Sequence, residues 1–446
     1  MNTPSRTERP HVLFLMDDEH RADVAGYAGD PVARTPVLDE LASTGVVFTN
    51  AYTPAPICIP ARQSLAAGQL PHTTGCERYG EDLPPGHMTF ARRFAQYGYQ
   101  TVACGKLHHT GADQMQGWLR RYGADIAMDP ALVPRRVEPM PVPMDLKWPQ
   151  DKEVRRAGPG RASHEIDDEY AVQGALDYLD RHFVDSGYDR ALPDTPLLLK
   201  VSLNQPHYPY ITARADRFDY YLNRVTPYTG QSLFDHPFLG GACRVRAGEE
   251  VSERELRRAT AAYYAMVETT DERFGRVLDA IRHVGQDPDD WLIVYTSDHG
   301  EMLGEHGVFE KQKFFEGSVR VPLIVRWPRW FQARTVDRNV SLCDLFATLC
   351  ELARIDVPVG LDSRSLVPLL HGDDSRWDNE VVSEFQARNL MIKRGHLKYQ
   401  SYGPGRPEVL FDLRADPGEL RNAIDDVEHA DAVARFRKRR DELGFS

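Results

Sequence analysis

The chain has 446 residues, with 54 Lys plus Arg against 66 Asp plus Glu, for a formal net charge of −12. Hydrophobic residues make up 41% and charged residues 27%, an ordinary globular composition that can bury a large core without disulfide or metal staples. The acidic balance argues against a general nucleic-acid binder, yet it leaves room for an anionic substrate, because sites are local and net charge is global.

Six cysteines, Cys58, Cys76, Cys104, Cys243, Cys343 and Cys350, are scattered without a CxxC pair, so neither a disulfide scaffold nor a zinc finger is indicated. The first apolar run, His11 to Met16, is too short for a signal peptide or a membrane span, which predicts a cytoplasmic protein with no membrane partner.

In chain order, Val12-Leu13-Phe14-Leu15-Met16 reads as a buried strand. A helix follows with Thr35 as N-cap, Pro36 at its first position and Gly45 beyond its end. Further strand runs are Thr101–Cys104, Leu197–Val201, Trp291–Tyr295 and Pro322–Val325. A long helical pattern from Ser252 to about His283 opens with the Ser252/Glu255 capping-box spacing. Strands alternating with helices predict an α/β fold whose mostly parallel sheet is covered on both faces. Residues 127–165 and 226–248 read as long irregular insertions. Past residue 365 the pattern changes to short strands around Val381, Leu390, Leu397 and Val409, followed by a charged terminal helix from about Asp426 to Leu443. The predicted division is a catalytic α/β domain over 1–365 and a small C-terminal antiparallel-sheet domain over 366–446. The basic cluster Arg435, Arg437, Lys438, Arg439 and Arg440 reads as a solvated helix face.

Ligands of open α/β sheets bind beyond the carboxyl ends of the strands. Here four such ends run into Asp17-Asp18, Gly105-Lys106-Leu107-His108-His109, Asn204-Gln205-Pro206-His207 and Ser297-Asp298-His299-Gly300. Each piece alone is an unspecific turn or cap. Together they deliver carboxylates and an imidazole suited to a divalent cation, with lysines suited to an anionic group. Cys58, in Pro56-Ile57-Cys58-Ile59-Pro60-Ala61-Arg62, lies just before a helix running to about Ala67, where partial positive charge favours anions. A buried cysteine used only for packing fits the same position.

Cys58-x-Pro60-x-Arg62 resembles the sulfatase signature, in which the cysteine is oxidised to formylglycine. The resemblance runs along nearly the whole chain, through Asp17-Asp18, Gly105-Lys106-Leu107-His108, His207-Tyr208-Pro209, Ser297 to Gly307, Lys311 and Leu410 to Pro417. Within the family, Ala67-Gly68-Gln69-Leu70-Pro71 and Gly111 to Gly117 are most similar to the choline-sulfatase and phosphonate-monoester-hydrolase branch. The chain ends at Ser446 without the C-terminal extension of choline sulfatases, which argues against choline as the substrate.

The resemblance implies an alkaline-phosphatase-like fold and hydrolysis of sulfate monoesters through a sulfo-enzyme intermediate on formylglycine. It implies a divalent metal, calcium by default with manganese or magnesium as alternatives, held by Asp17, Asp18, Asp298, His299 and the residue derived from Cys58. Arg62 would orient the formylglycine, Lys106 and Lys311 would hold sulfate oxygens, His108 would act as base and His207 would protonate the leaving oxygen. His109 and Lys313 are neighbours that could exchange with His108 and Lys311, and Glu384 resembles a carboxylate near the choline site. Trp118, His306 and Tyr208 read as packing or rim residues. Implied partners are a small-molecule or saccharide sulfate ester and a formylglycine-generating enzyme, and a homo-oligomer is compatible with the family. One alternative is a phosphonate monoester or phosphodiester hydrolase using the same site. A second is a non-catalytic anion-binding homologue in which Cys58 stays a thiol.

Overall fold

The apolar run near the N-terminus forms the strand Val12–Asp18, buried along its whole length. This strand lies inside an eight-stranded sheet in a computed structural model that describes residues 9–123, 150–185, 191–239 and 244–445. On one side it pairs in parallel with Leu197–Pro206, followed by Gln100–Gly105 and Arg120–Tyr122, all parallel. On the other it pairs in parallel with Leu292–Ser297. Beyond that, Leu323–Arg326 runs antiparallel to both its neighbours, and Val46–Phe48 and Arg334–Val336 complete the sheet. The sheet is therefore mixed but mostly parallel, as the alternation of strands and helices predicts. Most of the insertion at 127–165 and part of that at 226–248, with Cys243, lie outside the described residues.

Side chains alternate between sheet faces with a period of two. Val12, Phe14 and Met16 face a core shared with Leu65, Phe90 and Phe346 of the helices Cys58–Ala67, Phe90–Gln96 and Asp344–Leu352. Leu13 and Leu15 face the opposite core, with Val172 and Phe274 of the helices Ser163–Phe183 and Glu253–His283. The latter helix begins with the complete Ser252/Glu255 capping box. No helix among the described residues is long and apolar enough to cross a membrane.

The C-terminal strands Glu380–Phe385, Asn389–Arg394, Leu397–Ser401 and Val409–Asp412 form an antiparallel sheet in sequential order. Its alternation again separates two faces. Leu390, Ile392 and Tyr399 pack on Phe436 of the terminal helix Ala430–Glu442. Val381, Phe385, Met391 and Phe411 pack on Ile57, Phe314 and Phe315 of the large domain. This small sheet thereby buttresses the segments carrying Cys58 and Lys311. Arg437 and Arg440 both bond Glu408, and Arg439 bonds Glu380, so much of the basic cluster ties the helix to its sheet, where a purely solvated face was predicted. The buried Lys398 ammonium joins this sheet to Glu316 at 2.9 Å and also to Glu419.

Gly105 ends its strand at φ 89°, and a Cβ there would lie 2.1 Å from the Ser202 carbonyl oxygen. That close approach lets the Lys106 N–H donate to the same carbonyl at 2.8 Å. Neither the backbone oxygen nor the left-handed conformation yields cheaply to a methyl group. Gly105→Ala is expected to lower unfolding free energy by on the order of 2–3 kcal/mol, read as a fall in the urea midpoint.

Candidate active site

Cys58 is the first residue of its helix, one position further in than the sequence pattern suggests, with Pro60 still in the first turn. Its Sγ lies 3.1 Å from His299 Nε2 and 3.8 Å from Asp18 Oδ1. Arg62, one helical turn later, is 1% exposed and reaches across the strand ends. Its Nε donates to Asp298 Oδ2 at 2.7 Å, and its Nη2 to Asp18 Oδ2 at 3.0 Å. Its Nη1 donates to the Lys106 carbonyl at 2.8 Å and Ser202 Oγ at 2.9 Å. Lys106 Nζ sits 2.7 Å from Asp18 Oδ2. Lys311 Nζ donates to Glu19 Oε2 at 2.8 Å and to His207 Nε2 at 2.6 Å.

Electrostatics follow from this packing. Burial raises the Asp18 carboxyl, but the Lys106 ammonium and the Arg62 guanidinium outweigh it and leave Asp18 well below the usual carboxylate range. Burial lowers Lys311, and Glu19 reverses this, so its ammonium stays charged. Burial, reinforced by Lys106 and Arg62, pushes His108 well below the usual imidazole range. Burial with Lys311 and Lys106 does the same to His207. Both imidazoles are therefore neutral at pH 7. Burial and Asp18 push the Cys58 thiol up to about 12, so an unmodified thiol would be a poor nucleophile.

One donor set fits a divalent cation. The ligating atoms of Asp18, Cys58, Asp298 and His299 all lie within 4.8 Å of one another, and all four residues are buried. His299 Nδ1 contacts the Gly300 carbonyl at 3.0 Å, which assigns the proton to Nδ1 and leaves a lone pair on Nε2 toward Cys58. Two carboxylates, an imidazole and a sulfur (or the oxygen replacing it) suit a hard or borderline ion.

Asp17 is not one of those four residues. Successive strand residues point to opposite faces, so Asp17 turns toward the core of Leu13 and Leu15. There its Oδ2 meets His20 Nδ1 at 2.7 Å and the Tyr295 hydroxyl at 3.0 Å, while Oδ1 is buried and accepts no hydrogen bond from any described residue. His109 is buried with Nδ1 3.3 Å from the Gln114 carbonyl. Lys313 Nζ lies 4.9 Å over the Phe238 ring. Glu384 meets His72 twice, at Nδ1 (2.6 Å) and the backbone N–H (2.9 Å), and makes no described contact with the Cys58 cluster. Trp118 packs against Phe90, and His306 stacks on Phe315.

Sequence reasoning missed Glu19, whose signal was adjacency to the Asp pair, and Ser202, whose signal was its place at a strand end. It also missed Asp168, which accepts from the backbone N–H groups of Asn204 (2.6 Å) and Gln205 (3.0 Å) and so fixes the approach to His207. Asp168 sits mid-helix, and nothing local marks it.

Removing one partner of a buried ion network strands the other charges. Arg62→Leu is expected to cost about 3–5 kcal/mol in metal-free protein. Added calcium should recover part of that loss in the melting temperature, because the cation would neutralise the stranded Asp18 and Asp298. A loss that is no larger with chelator than with calcium would contradict this electrostatic account.

Comparison with known proteins agrees with the geometry. A family model described as sulfatase matches residues 10–355, and one described as N-sulphoglucosamine sulphohydrolase, C-terminal, matches residues 304–444. The chain is 32% identical to a choline-sulfatase of Rhizobium meliloti (strain 1021), covering 93% of this chain and 82% of that protein. It is 29% identical to arylsulfatase K of Gallus gallus, covering 94% of this chain and 80% of that protein. Among solved structures, a phosphonate monoester hydrolase from Silicibacter pomeroyi superposes with TM-score 0.78 at 21% identity, covering 97% of this chain and 94% of that one. A structure in complex with its substrate D-glucosamine-2-N,6-O-disulfate superposes with TM-score 0.77 at 19% identity, covering 98% and 97%. These two likenesses bear on the fold. With a family model spanning most of its length, its signature cysteine at a helix start and the strand-end residues gathered around it, the chain belongs to the sulfatase family, the sulfuric ester hydrolases.

Proposed function

We propose that the protein hydrolyses sulfate monoesters to an alcohol and inorganic sulfate, with Cys58 converted to formylglycine and a divalent cation held by Asp18, Asp298, His299 and residue 58. The observation that carries this reading is the buried convergence of Cys58 with two carboxylates and an imidazole, ringed by Arg62, Lys106 and Lys311. Calcium suits the carboxylate-rich donor set, and the imidazole also admits manganese or magnesium. When present, the cation and the hydrated aldehyde supply an activated oxygen nucleophile and offset charge on the sulfuryl oxygens.

This chain's own residues do the rest. Arg62 orients residue 58 and keeps Asp18 and Asp298 in place. Lys106 and Lys311 present ammonium groups already fixed by Asp18 and Glu19, so little reorganisation is needed when negative charge shifts among the sulfuryl oxygens. His207 contacts the Tyr208 carbonyl through Nδ1 at 2.6 Å, so Nε2 is the atom that shares a proton with Lys311 and passes it to the leaving alcohol oxygen. His108, neutral and buried, takes a proton when residue 58 releases sulfate. Cys58 is 2% exposed, so a formylglycine-generating partner must reach it before the fold closes.

The same residues would serve a phosphonate monoester, since both transferring groups are tetrahedral with charge on peripheral oxygens. On converted, metal-replete protein, kcat/KM for 4-nitrophenyl sulfate is expected to exceed that for a phenylphosphonate monoester, and the reverse order would replace the sulfatase reading with the phosphonate one. Conversion should lower the mass of the Cys58 peptide by about 18 Da. Cys58→Ala should reduce turnover by at least about 10³-fold while leaving the melting transition intact. An unconverted peptide from the native host would favour a binding protein with an unmodified thiol.

A further inference from the structure

The buried charges account for the sulfuryl end of a substrate. Cys58, Lys106 and Lys311 are 2%, 2% and 4% exposed, whereas the His207 side chain is less enclosed, so the alcohol belongs on the His207 side of the site. Two tyrosines pack against the imidazoles of the site. Tyr79 is 55% exposed, and its ring meets the buried His108 imidazole edge-on, with centroids 6.2 Å apart and planes at 83°. Tyr208 is half-buried and stacks on His207, with centroids 4.2 Å apart and planes at 30°. Single exposed aromatic residues are ordinary on protein surfaces. These two differ in that each touches an imidazole of the candidate active site.

Resting on the sulfatase reading of this site, we propose that Tyr79 and Tyr208 form an aromatic rim that selects sulfate esters of a neutral ring alcohol, a pyranose or an aryl group, with Tyr79 the specificity-determining residue. Aromatic faces stack on the flat C–H face of a sugar or on another ring. Two observations disfavour a cationic alcohol, which would also be drawn to aromatic faces. Lys311 Nζ already sits 4.4 Å over the Tyr208 ring, and that positive charge would repel a second one. Glu384, a carboxylate that could neutralise an ammonium, is committed to His72 by two contacts. The Tyr79 hydroxyl also gives a sugar hydroxyl a hydrogen-bond partner that an aryl ring cannot use.

The test compares converted, calcium-loaded wild type, Tyr79→Ala and Tyr79→Phe on 4-nitrophenyl sulfate, glucose 6-sulfate and ethyl sulfate. Tyr79 is exposed, so both variants should melt with wild type. Tyr79→Ala is expected to raise KM about five- to tenfold for the two ring esters with kcat nearly unchanged, and to leave ethyl sulfate unaffected. Tyr79→Phe should keep the aryl ester at wild-type KM and lose affinity only for the sugar ester. An equal loss on all three esters, or none on the ring esters, overturns the rim while leaving the sulfatase reading standing. Wild-type protein that turns over no sulfate ester overturns the sulfatase reading and the rim with it.

Discussion

The site is organised by one buried guanidinium. Arg62 lies between the Asp18 and Asp298 carboxylates and is nearly inaccessible to water. A charge so placed must be fully hydrogen-bonded, and the five N–H groups of an arginine here meet five acceptors. Those acceptors come from four strands: Asp17 and Asp18 at the end of the first, Lys106 and Asp298 just past the ends of two others, and Ser202 inside the fourth. One side chain on the Cys58 helix thus fixes how that helix start sits above the sheet edge. A lysine has no planar fork and could not make the same set of bonds.

Charge balance follows from that arrangement. Asp18, Glu19 and Asp298 stand beside Arg62, Lys106 and Lys311, so the acidic and basic side chains of the bare site nearly offset one another. A divalent cation would make the pocket net positive, which a sulfate ester needs. The overall acidity of the chain therefore does not oppose an anionic substrate. The low-dielectric surroundings strengthen these interactions, and they also make any missing partner costly.

Much of this was legible before the fold was known. The apolar runs at Val12, Thr101, Leu197 and Leu292 are strands, and the polar clusters after them do meet at one sheet edge. Asp17 and Asp18 show what the motif alone does not place. Adjacent in sequence and alike in chemistry, they are separated by the pleat, which sends Asp18 toward Cys58 and Asp17 toward His20 and Tyr295. That period of two is itself a sequence-level rule, but applying it requires knowing that the strand continues through both residues. Asp168 and Glu19 were less accessible still. One acts from the middle of a helix, and the other turns toward Lys311 from a left-handed backbone position at φ 67°. The C-terminal sheet was visible as four short strands, whereas its packing against Ile57 and Phe315 was not.

By itself, the sequence determined the local elements, the helix start at the signature cysteine and the inventory of groups able to handle a sulfate and a metal, because periodicity, capping and residue chemistry act over a few residues. Tertiary structure alone decided which of those groups became neighbours. Cys58 is 40 residues from Asp18 and 241 from His299 along the chain, yet their ligating atoms share one small volume. Strand order and the facing of each side chain set that convergence, and both follow from how the two apolar faces of the sheet are buried across the whole molecule.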